Sequence, residues 1–120
     1  MTVVIPAGGA RIDYVELPSA SAHELTRAFY TRAFGWEFAN YGPDYSSTTN
    51  GTTDVGLNGH PEDALSAPLP VVRVDKLEQA FDAVVAAGGI IARPIYAFPG
   101  GRRFHFVDPS GSELAVWTES

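Results

Sequence analysis

The sequence predicts an α+β fold built from two copies of a β-α-β-β-β unit, and three observations lead to that prediction. Two helix-forming segments recur, each preceded by a strand-like run and followed by others. Both are predicted to end at a glycine, Gly35 in the first half and Gly88 in the second. Each half also contains a hairpin signal, and the repeated order of elements favours duplicated modules.

The first module is predicted to begin with a strand over residues 11–17, in which side chains alternate between two faces. Val15 and Leu17 lie on one face, and Tyr14 and Glu16 lie on the other. The later strands of this module are predicted at 36–38, 45–49 and 52–57, the last two flanking the hairpin dipeptide Asn50-Gly51.

Each helix is predicted to start with a capping box, in which two side chains three positions apart bond each other's backbone donors. The boxes are Ser21 with Glu24 and Asp75 with Glu78. Apolar residues recur along each helix at the spacing expected of a face that covers a sheet. These residues are Leu25, Phe29 and Ala33 in the first helix, which runs to about Phe34, and Leu77, Phe81 and Val84 or Val85 in the second.

The second module follows a proline-rich linker over residues 58–70. Its strands are predicted at 71–74, at 90–93 and in a terminal hairpin, whose runs 103–107 and 113–117 flank the turn Asp108-Pro109-Ser110-Gly111. The chain, residues 1–120, is predicted to be one domain with modules at about 11–58 and 69–118.

Composition limits the functions that this chain could have. A net charge of −6 and the lack of a basic run disfavour a nucleic-acid partner. Without cysteine, the chain offers no disulfide, thiolate metal site or cysteine nucleophile. The first residues form neither a signal peptide nor a membrane span, so we expect a cytoplasmic protein with no membrane partner.

The helix-free faces of the two predicted sheets are where function is expected. One helix per module covers only one face of its sheet, so the other face must pack elsewhere. Two such faces that meet would form a cleft, and clefts are the usual sites of small-molecule binding.

Several short motifs resemble the vicinal oxygen chelate superfamily, which includes glyoxalase I, extradiol dioxygenases, and fosfomycin and bleomycin resistance proteins. The motifs are Phe29-Tyr30, Phe34-Gly35-Trp36, Gly88-Gly89, Gly101-Arg102 and Asp108-Pro109-Ser110-Gly111-Ser112. The resemblance implies a glyoxalase/bleomycin resistance-like fold, in which paired βαβββ modules form a cupped mixed sheet. It also implies a homodimer.

The resemblance further implies a divalent metal held by His, Glu or Gln side chains on the first and last strands of each module. The corresponding positions here are Tyr14, residues 56–58, Leu69 and Ala115. Since Leu and Ala side chains offer no oxygen or nitrogen donor, we predict that the family metal site is lost and that the protein uses no cofactor. A divalent metal bound through atypical ligands is the alternative.

Glu16 is the candidate catalytic residue. It shares a strand face with Tyr14, and a carboxylate in a partly apolar cleft is suited to accept a proton. In the alternative interpretation, Glu16 pairs with Arg73 or Arg103 and only holds the sheet faces together.

The terminal hairpin carries the remaining candidates for ligand binding. Ala115 and Trp117 share one strand face with Glu113, which leaves room for a flat ligand to stack on the indole. His105 lies opposite its phenylalanine neighbours and is a candidate acid, base or ligand contact. The alternatives are that Trp117 fills the core or a dimer interface and that His105 is only a rim residue. The predicted ligand-binding residues are Tyr14, Glu16, Arg73, Arg103, His105, Ala115 and Trp117.

We therefore predict a metal-free protein that binds a small apolar or aromatic molecule in the cleft, such as an antibiotic that it would sequester. The first alternative is a glyoxalase- or dioxygenase-like lyase or isomerase whose metal is held by ligands such as Glu16 and His105. A metal-free isomerase or lyase with Glu16 as general base is the second. The last alternative is a subunit that acts only through its dimer surface. The sequence leaves open whether any reaction is catalysed.

Overall fold

The computed structural model describes residues 9–49, 51–63 and 65–119. They form, in chain order, β1 (Ala10–Pro18), α1 (His23–Phe34), β2 (Phe38–Asn40), β3 (Tyr45–Thr48), β4 (Asp54–Asn58), β5 (Leu69–Val74), α2 (Leu77–Ala86), β6 (Ile90–Phe98), β7 (Gly101–Val107) and β8 (Glu113–Thr118). The predicted order β-α-β-β-β thus occurs twice. Parallel and antiparallel strand pairs occur together with the two helices, which confirms the α+β class.

The described residues divide into two compact units. Residues 13–69 form the N-terminal unit, and residues 9–12 and 70–119 form the C-terminal unit. The grouping of the chain into one domain with modules at 11–58 and 69–118 stays a prediction. No helix in the described part of the chain has the length and apolarity that a membrane crossing needs.

The N-terminal unit orders its strands β2-β3-β4-β1. β1 and β4 are parallel, with Glu16 opposite Gly56, and β3 and β4 are antiparallel, with Tyr45 opposite Asn58. The helix α1 lies on the sheet face that carries Ser46, because His23 of α1 bonds the Ser46 hydroxyl at 3.1 Å. Neighbouring strand residues point to opposite sides of a sheet, so the side chain of Tyr45 points away from α1. Tyr14, Glu16 and Tyr45 therefore lie on the helix-free face of this unit.

The C-terminal unit orders its strands β5-β8-β7-β6, with β5 and β8 parallel. Its core lies between α2 and one sheet face and consists of Val74, Leu77, Ala80, Phe104 and Val116. Phe104 is fully buried and meets Phe81 of α2 edge to face, with ring centroids 5.1 Å apart. Because strand side chains alternate, His105, Ala115 and Trp117 lie on the helix-free face, as predicted.

Both predicted capping boxes are wrong. α1 begins at His23 with Ala22 at its N-cap, and α2 begins at Leu77 with Lys76 there, neither with a side-chain cap bond. Each helix starts one residue too late for its box, and each acidic residue bonds an arginine instead. The pairs are Glu24 with Arg27 and Glu78 with Arg102. The predicted stop at Gly35 is confirmed, since this residue has the left-handed φ of 72°.

The apolar stripe of α1 does not cover the sheet of its own chain. Leu25 is 73% exposed and Phe29 is 54% exposed, and α1 has no buried residue. The prediction that these residues form a sheet-covering face is therefore wrong for the described part of a single chain. The second helix behaves as predicted, with Leu77 buried and Phe81 and Val84 packed against the core.

The strand β6 is longer than predicted. The predicted run ends at Arg93, whereas the strand continues to Phe98 through Pro94. Proline lacks a backbone donor, but β6 stands last in the strand order and its register shifts on either side of Arg93, where a missing donor is tolerated.

The predicted turn of the terminal hairpin is confirmed, because the Asp108 carboxylate accepts bonds from the backbone N–H groups of Ser110 and Ser112. The predicted linker joins β4 to β5. β3 and β4 pair as the hairpin signal predicts, although Asn50 itself lies outside the described residues.

Candidate functional site

A hydrogen-bonded cluster lies on the helix-free face of the N-terminal unit. The Tyr14 and Tyr45 hydroxyl oxygens are 2.6 Å apart, and Tyr45 donates to Glu16 Oε2 at 3.0 Å. Asn58 Nδ2 donates to Glu16 Oε1 at 3.1 Å. Glu16 is only 3% exposed, so both carboxylate oxygens have neutral donors in place of water.

Asn58 is fixed by bonds to each of its polar atoms. Its Nδ2 also donates to the Asp63 carboxylate at 2.9 Å, and its Oδ1 accepts from the backbone N–H of His60 at 2.9 Å. With both amide hydrogens and the oxygen in use, the amide has one stable orientation. Asn58 therefore positions two carboxylates, those of Glu16 and Asp63.

Gly56 provides the space in which the two tyrosine hydroxyls meet. A methyl group at this position would lie 2.0 Å from the Tyr14 hydroxyl oxygen and 2.3 Å from that of Tyr45. Any side chain at position 56 would displace both hydroxyls. The cluster thus depends on a residue that contributes no functional group.

Burial is the largest cause that raises the pKa of the Tyr45 hydroxyl far above its ordinary value, and the nearby Glu16 charge and the Tyr14 hydroxyl raise it further. Tyr45 is therefore a protonated donor at neutral pH.

A second cluster, on the helix-free face of the C-terminal unit, is centred on His105. Its Nδ1 lies 2.9 Å from the Glu113 carboxylate, and its Nε2 lies 2.9 Å from the Tyr96 hydroxyl and 3.2 Å from Arg103 Nε. Because a guanidinium only donates, Nε2 must be the acceptor. The proton of the neutral ring is therefore on Nδ1 and points to Glu113.

The pKa of His105 is lowered, first by burial of the ring and then by the positive charges of Arg103 and Arg93, while Glu113 opposes the shift. The ring is therefore neutral at pH 7. In this form it accepts at Nε2 and donates at Nδ1, which the contacts with Arg103 and Glu113 require.

Three aromatic rings and three arginines form what we call the ring–arginine row. Its members are Tyr96, Phe98 and Trp117 with Arg73, Arg93 and Arg103. The Arg73 guanidinium carbon lies 4.9 Å from the Trp117 ring centroid, and that of Arg93 lies 3.8 Å from the Tyr96 centroid. Arg103 lies 5.8 Å from both the Tyr96 and Phe98 rings. Trp117 and Phe98 have centroids 6.2 Å apart, so the row combines flat apolar surface with positive charge.

The positions that the resemblance marks as metal ligands do not fit a divalent ion. Leu69 and Ala115 are buried apolar side chains without a donor atom, and the space above Gly56 is filled by tyrosine hydroxyls. Across residues 9–49, 51–63 and 65–119, no three His, Asp or Glu side chains converge in a way that could hold a metal. Function without a metal nevertheless stays a prediction.

The predicted site residues thus fall into two groups. Tyr14 and Glu16 lie together in the N-terminal unit, with partners Tyr45 and Asn58. The other predicted residues lie together in the C-terminal unit and are Arg73, Arg103, His105, Ala115 and Trp117. Glu16 is poorly placed to take a proton from a ligand directly, because both its oxygens already accept hydrogen bonds. Its role as general base stays a prediction, as does its pairing with an arginine.

Sequence reasoning assigned no site role to Tyr45 or Gly56, and it also missed Asn58 and three residues of one strand, Arg93, Tyr96 and Phe98. Asn58 lies at the end of a predicted strand, but no local sequence pattern identifies an asparagine whose side chain binds carboxylates. The other three belong to β6, where Pro94 interrupts the strand pattern. Their signal was the alternation of Tyr96 and Phe98 with smaller neighbours after the proline.

Comparison with known proteins identifies the family. The model of the Glyoxalase/Bleomycin resistance protein/Dioxygenase superfamily matches residues 11–116. No curated protein matches the chain.

Three solved structures illustrate the likeness of fold. A protein described as NAD-dependent benzaldehyde dehydrogenase from Legionella pneumophila has a TM-score of 0.73 at 15% identity, covering 89% of this chain and 98% of its own. Methylmalonyl-CoA epimerase from Mycobacterium tuberculosis has a TM-score of 0.72 at 11% identity, covering 91% and 87%. A superfamily member from Vibrio splendidus 12B01 has a TM-score of 0.65 at 19% identity, covering 92% and 99%. Such low identities concern the fold alone, whereas the family match spans nearly the whole chain. The chain therefore belongs to the Glyoxalase/Bleomycin resistance protein/Dioxygenase superfamily and has its fold, as the sequence predicts.

Proposed function

We propose that this protein binds a small aromatic molecule on the helix-free face of the C-terminal unit and needs no metal to do so. The ring–arginine row is the observation that supports the proposal. Flat ligands stack on exposed aromatic faces, and Trp117 is only partly buried. Ala115, next but one to Trp117 on the same strand face, adds no bulk that would block a ring.

The three arginines favour a ligand that carries a negative charge, such as an aromatic carboxylate. Arg73 and Arg103 flank Trp117, since each is its register partner on a neighbouring strand. A carboxylate beside a stacked ring would meet these two guanidinium groups and would compete with their present partners, the Glu119 carboxylate on Arg73 and the His105 ring on Arg103. Sequestration of an aromatic antibiotic is one use of such a site.

Fluorescence of Trp117 tests the proposal. In a Trp36→Phe background, Trp117 is the one remaining tryptophan, and nitroaromatic compounds quench its emission. We expect saturable quenching by 4-nitrobenzoate, with weaker binding of the neutral analogue 4-nitrobenzyl alcohol. Replacement of Arg73 or Arg103 by methionine should weaken binding of the carboxylate about five- to thirtyfold and leave the alcohol nearly unaffected, as expected for loss of about 1–2 kcal/mol of charge-assisted contact.

Two results would count against this proposal. One is quenching that rises linearly with 4-nitrobenzoate and with a wider panel of aromatic carboxylates, which would indicate collision without binding. The other is equal affinity of the protein and of its Trp117→Leu variant for 4-nitrobenzoate, with binding measured by calorimetry.

We further propose that two chains form a homodimer, which the exposed apolar face of α1 supports. Leu25 and Phe29, four residues apart on one side of α1, are each more than half exposed in the single chain. An apolar face of this kind is typical of a protein interface. Light scattering should give the mass of two chains for the protein and of one chain for Phe29→Asp, whereas Thr31→Asp, exposed on the side of α1 opposite Phe29, should remain dimeric.

A further inference from the structure

The cluster around Glu16 in the N-terminal unit has a direction that follows from counting its protons. A phenol carries one hydroxyl proton, and Tyr45 donates its proton to the Glu16 carboxylate. The hydrogen bond between Tyr14 and Tyr45 must then use the proton of Tyr14. The chain of bonds runs Tyr14 to Tyr45 to Glu16, and it ends at a carboxylate.

This direction of donation makes the Tyr14 oxygen a hydrogen-bond acceptor toward other groups. With its proton directed to Tyr45, the Tyr14 hydroxyl meets any further group as an acceptor, through oxygen lone pairs. Chains of hydrogen bonds polarise one another, so the charge of Glu16 increases the negative character of both tyrosine oxygens. Along this chain Tyr14 stands two hydrogen bonds away from the carboxylate, and it is only partly buried.

The geometry points to a second binding site, in which the Tyr14 hydroxyl oxygen accepts a hydrogen bond from a protonated primary amine of a small molecule. An ammonium group supplies N–H donors and no acceptor, which matches an acceptor-terminated chain. Its positive charge is attracted by Glu16 and by Asp63, the two carboxylates that Asn58 holds. A ligand carboxylate or carbonyl would be disfavoured there, because it would place lone pairs against lone pairs.

The site goes beyond the proposed aromatic site and does not depend on it, because every residue that forms it lies within residues 13–69. Gly56 is part of the construction, since only glycine leaves room for the two hydroxyls. The buried Glu16 is held by two donors and acts through Tyr45 and Tyr14, so it is a positioning residue here.

The experiment uses benzylammonium and two matched probes, followed by amide chemical shifts of residues 14, 45 and 56 in the full chain. Benzyltrimethylammonium keeps the charge and lacks N–H donors, and benzyl alcohol keeps a donor and lacks the charge. We expect saturable shifts with benzylammonium and binding of benzyltrimethylammonium at least tenfold weaker. Benzyl alcohol should bind with an affinity between those of the other two probes.

Two variants separate the donor requirement from the charge. Tyr14→Phe should weaken benzylammonium binding about tenfold or more, with a native-like spectrum as the check on folding. Glu16→Gln keeps an acceptor oxygen for Tyr45 and removes the charge, so it should weaken benzylammonium and spare benzyl alcohol. Absence of benzylammonium binding, equal binding of the trimethyl probe, or unchanged binding by Tyr14→Phe would each overturn the proposal. Because Trp117 fluorescence is not the readout, failure here is distinguishable from failure of the aromatic site.

Discussion

Substitution of Gly56 by alanine should lower the free energy of unfolding more than a glycine-to-alanine change in a strand ordinarily does. The new methyl carbon would lie 2.0 Å from the Tyr14 hydroxyl oxygen and 2.3 Å from that of Tyr45, so both rings must move. Their movement breaks the bond between the two hydroxyls and the bond from Tyr45 to the buried Glu16 carboxylate.

The expected magnitude follows from those two bonds. The neutral bond contributes about 0.5–1.5 kcal/mol and the bond to the charged carboxylate about 1.5–3 kcal/mol. Loss of glycine's freedom in the unfolded chain offsets about 0.4–1 kcal/mol of this. We therefore expect Gly56→Ala to destabilise the protein by about 1–4 kcal/mol.

Urea unfolding measures this change as a lower midpoint at an unchanged slope. The matched control repeats Gly56→Ala in a chain that also carries Tyr14→Phe and Tyr45→Phe, in which both hydroxyl oxygens are gone. There the alanine should cost at least about 1 kcal/mol less, since the two hydrogen bonds no longer exist to be broken. A cost below about 0.5 kcal/mol, equal in both backgrounds, would refute the reasoning.

Two further predictions concern the C-terminal unit. Phe104→Ala should cost about 3–5 kcal/mol in urea unfolding, because Phe104 is fully buried against Phe81, whereas Ile90→Ala, at a residue 68% exposed, should change stability by no more than about 0.5 kcal/mol. Equal costs would contradict the assigned core. Since burial lowers the pKa of His105, the unfolded chain is protonated first, and stability should fall as the pH drops below the ordinary value of 6.5 toward the folded pKa. His105→Gln should remove that part of the pH dependence between pH 7.5 and 5.5, and an identical profile for both proteins would show that His105 contributes nothing to it.

The faces of the strands could be predicted from sequence because side-chain alternation is a local property. A period of two is enough to place Tyr14 with Glu16 on one side of β1 and Ala115 with Trp117 on one side of β8. The structure puts both pairs on helix-free faces, opposite His23 in one unit and opposite the α2 core in the other.

The partners of these residues could not be predicted, because they come from strands distant in sequence. Glu16 meets Tyr45 and Asn58 only through the register of β1, β3 and β4. Nothing near Glu16 in the chain specifies that register. The role of Gly56 was equally hidden, since a missing side chain leaves no pattern to detect.

The predicted helix starts and the predicted burial of α1 were wrong for different reasons. A capping box is a local motif, and a start one residue later is enough to remove it, as at Ala22 and Lys76. The spacing of Leu25 and Phe29 indicates an apolar face but does not say what covers that face. Covering by a second chain gives the same periodicity as covering by a sheet.

The most direct test of aromatic binding at Trp117 is the detection of nuclear Overhauser effects between 4-nitrobenzoate and the protein. We predict contacts from the ring protons of the bound probe to the Trp117 indole and to Phe98. The indole of Trp36, which stacks on Tyr30 at the end of α1, should show none. Contacts confined to Trp36, or none to Trp117 at saturating probe, would contradict the proposed function.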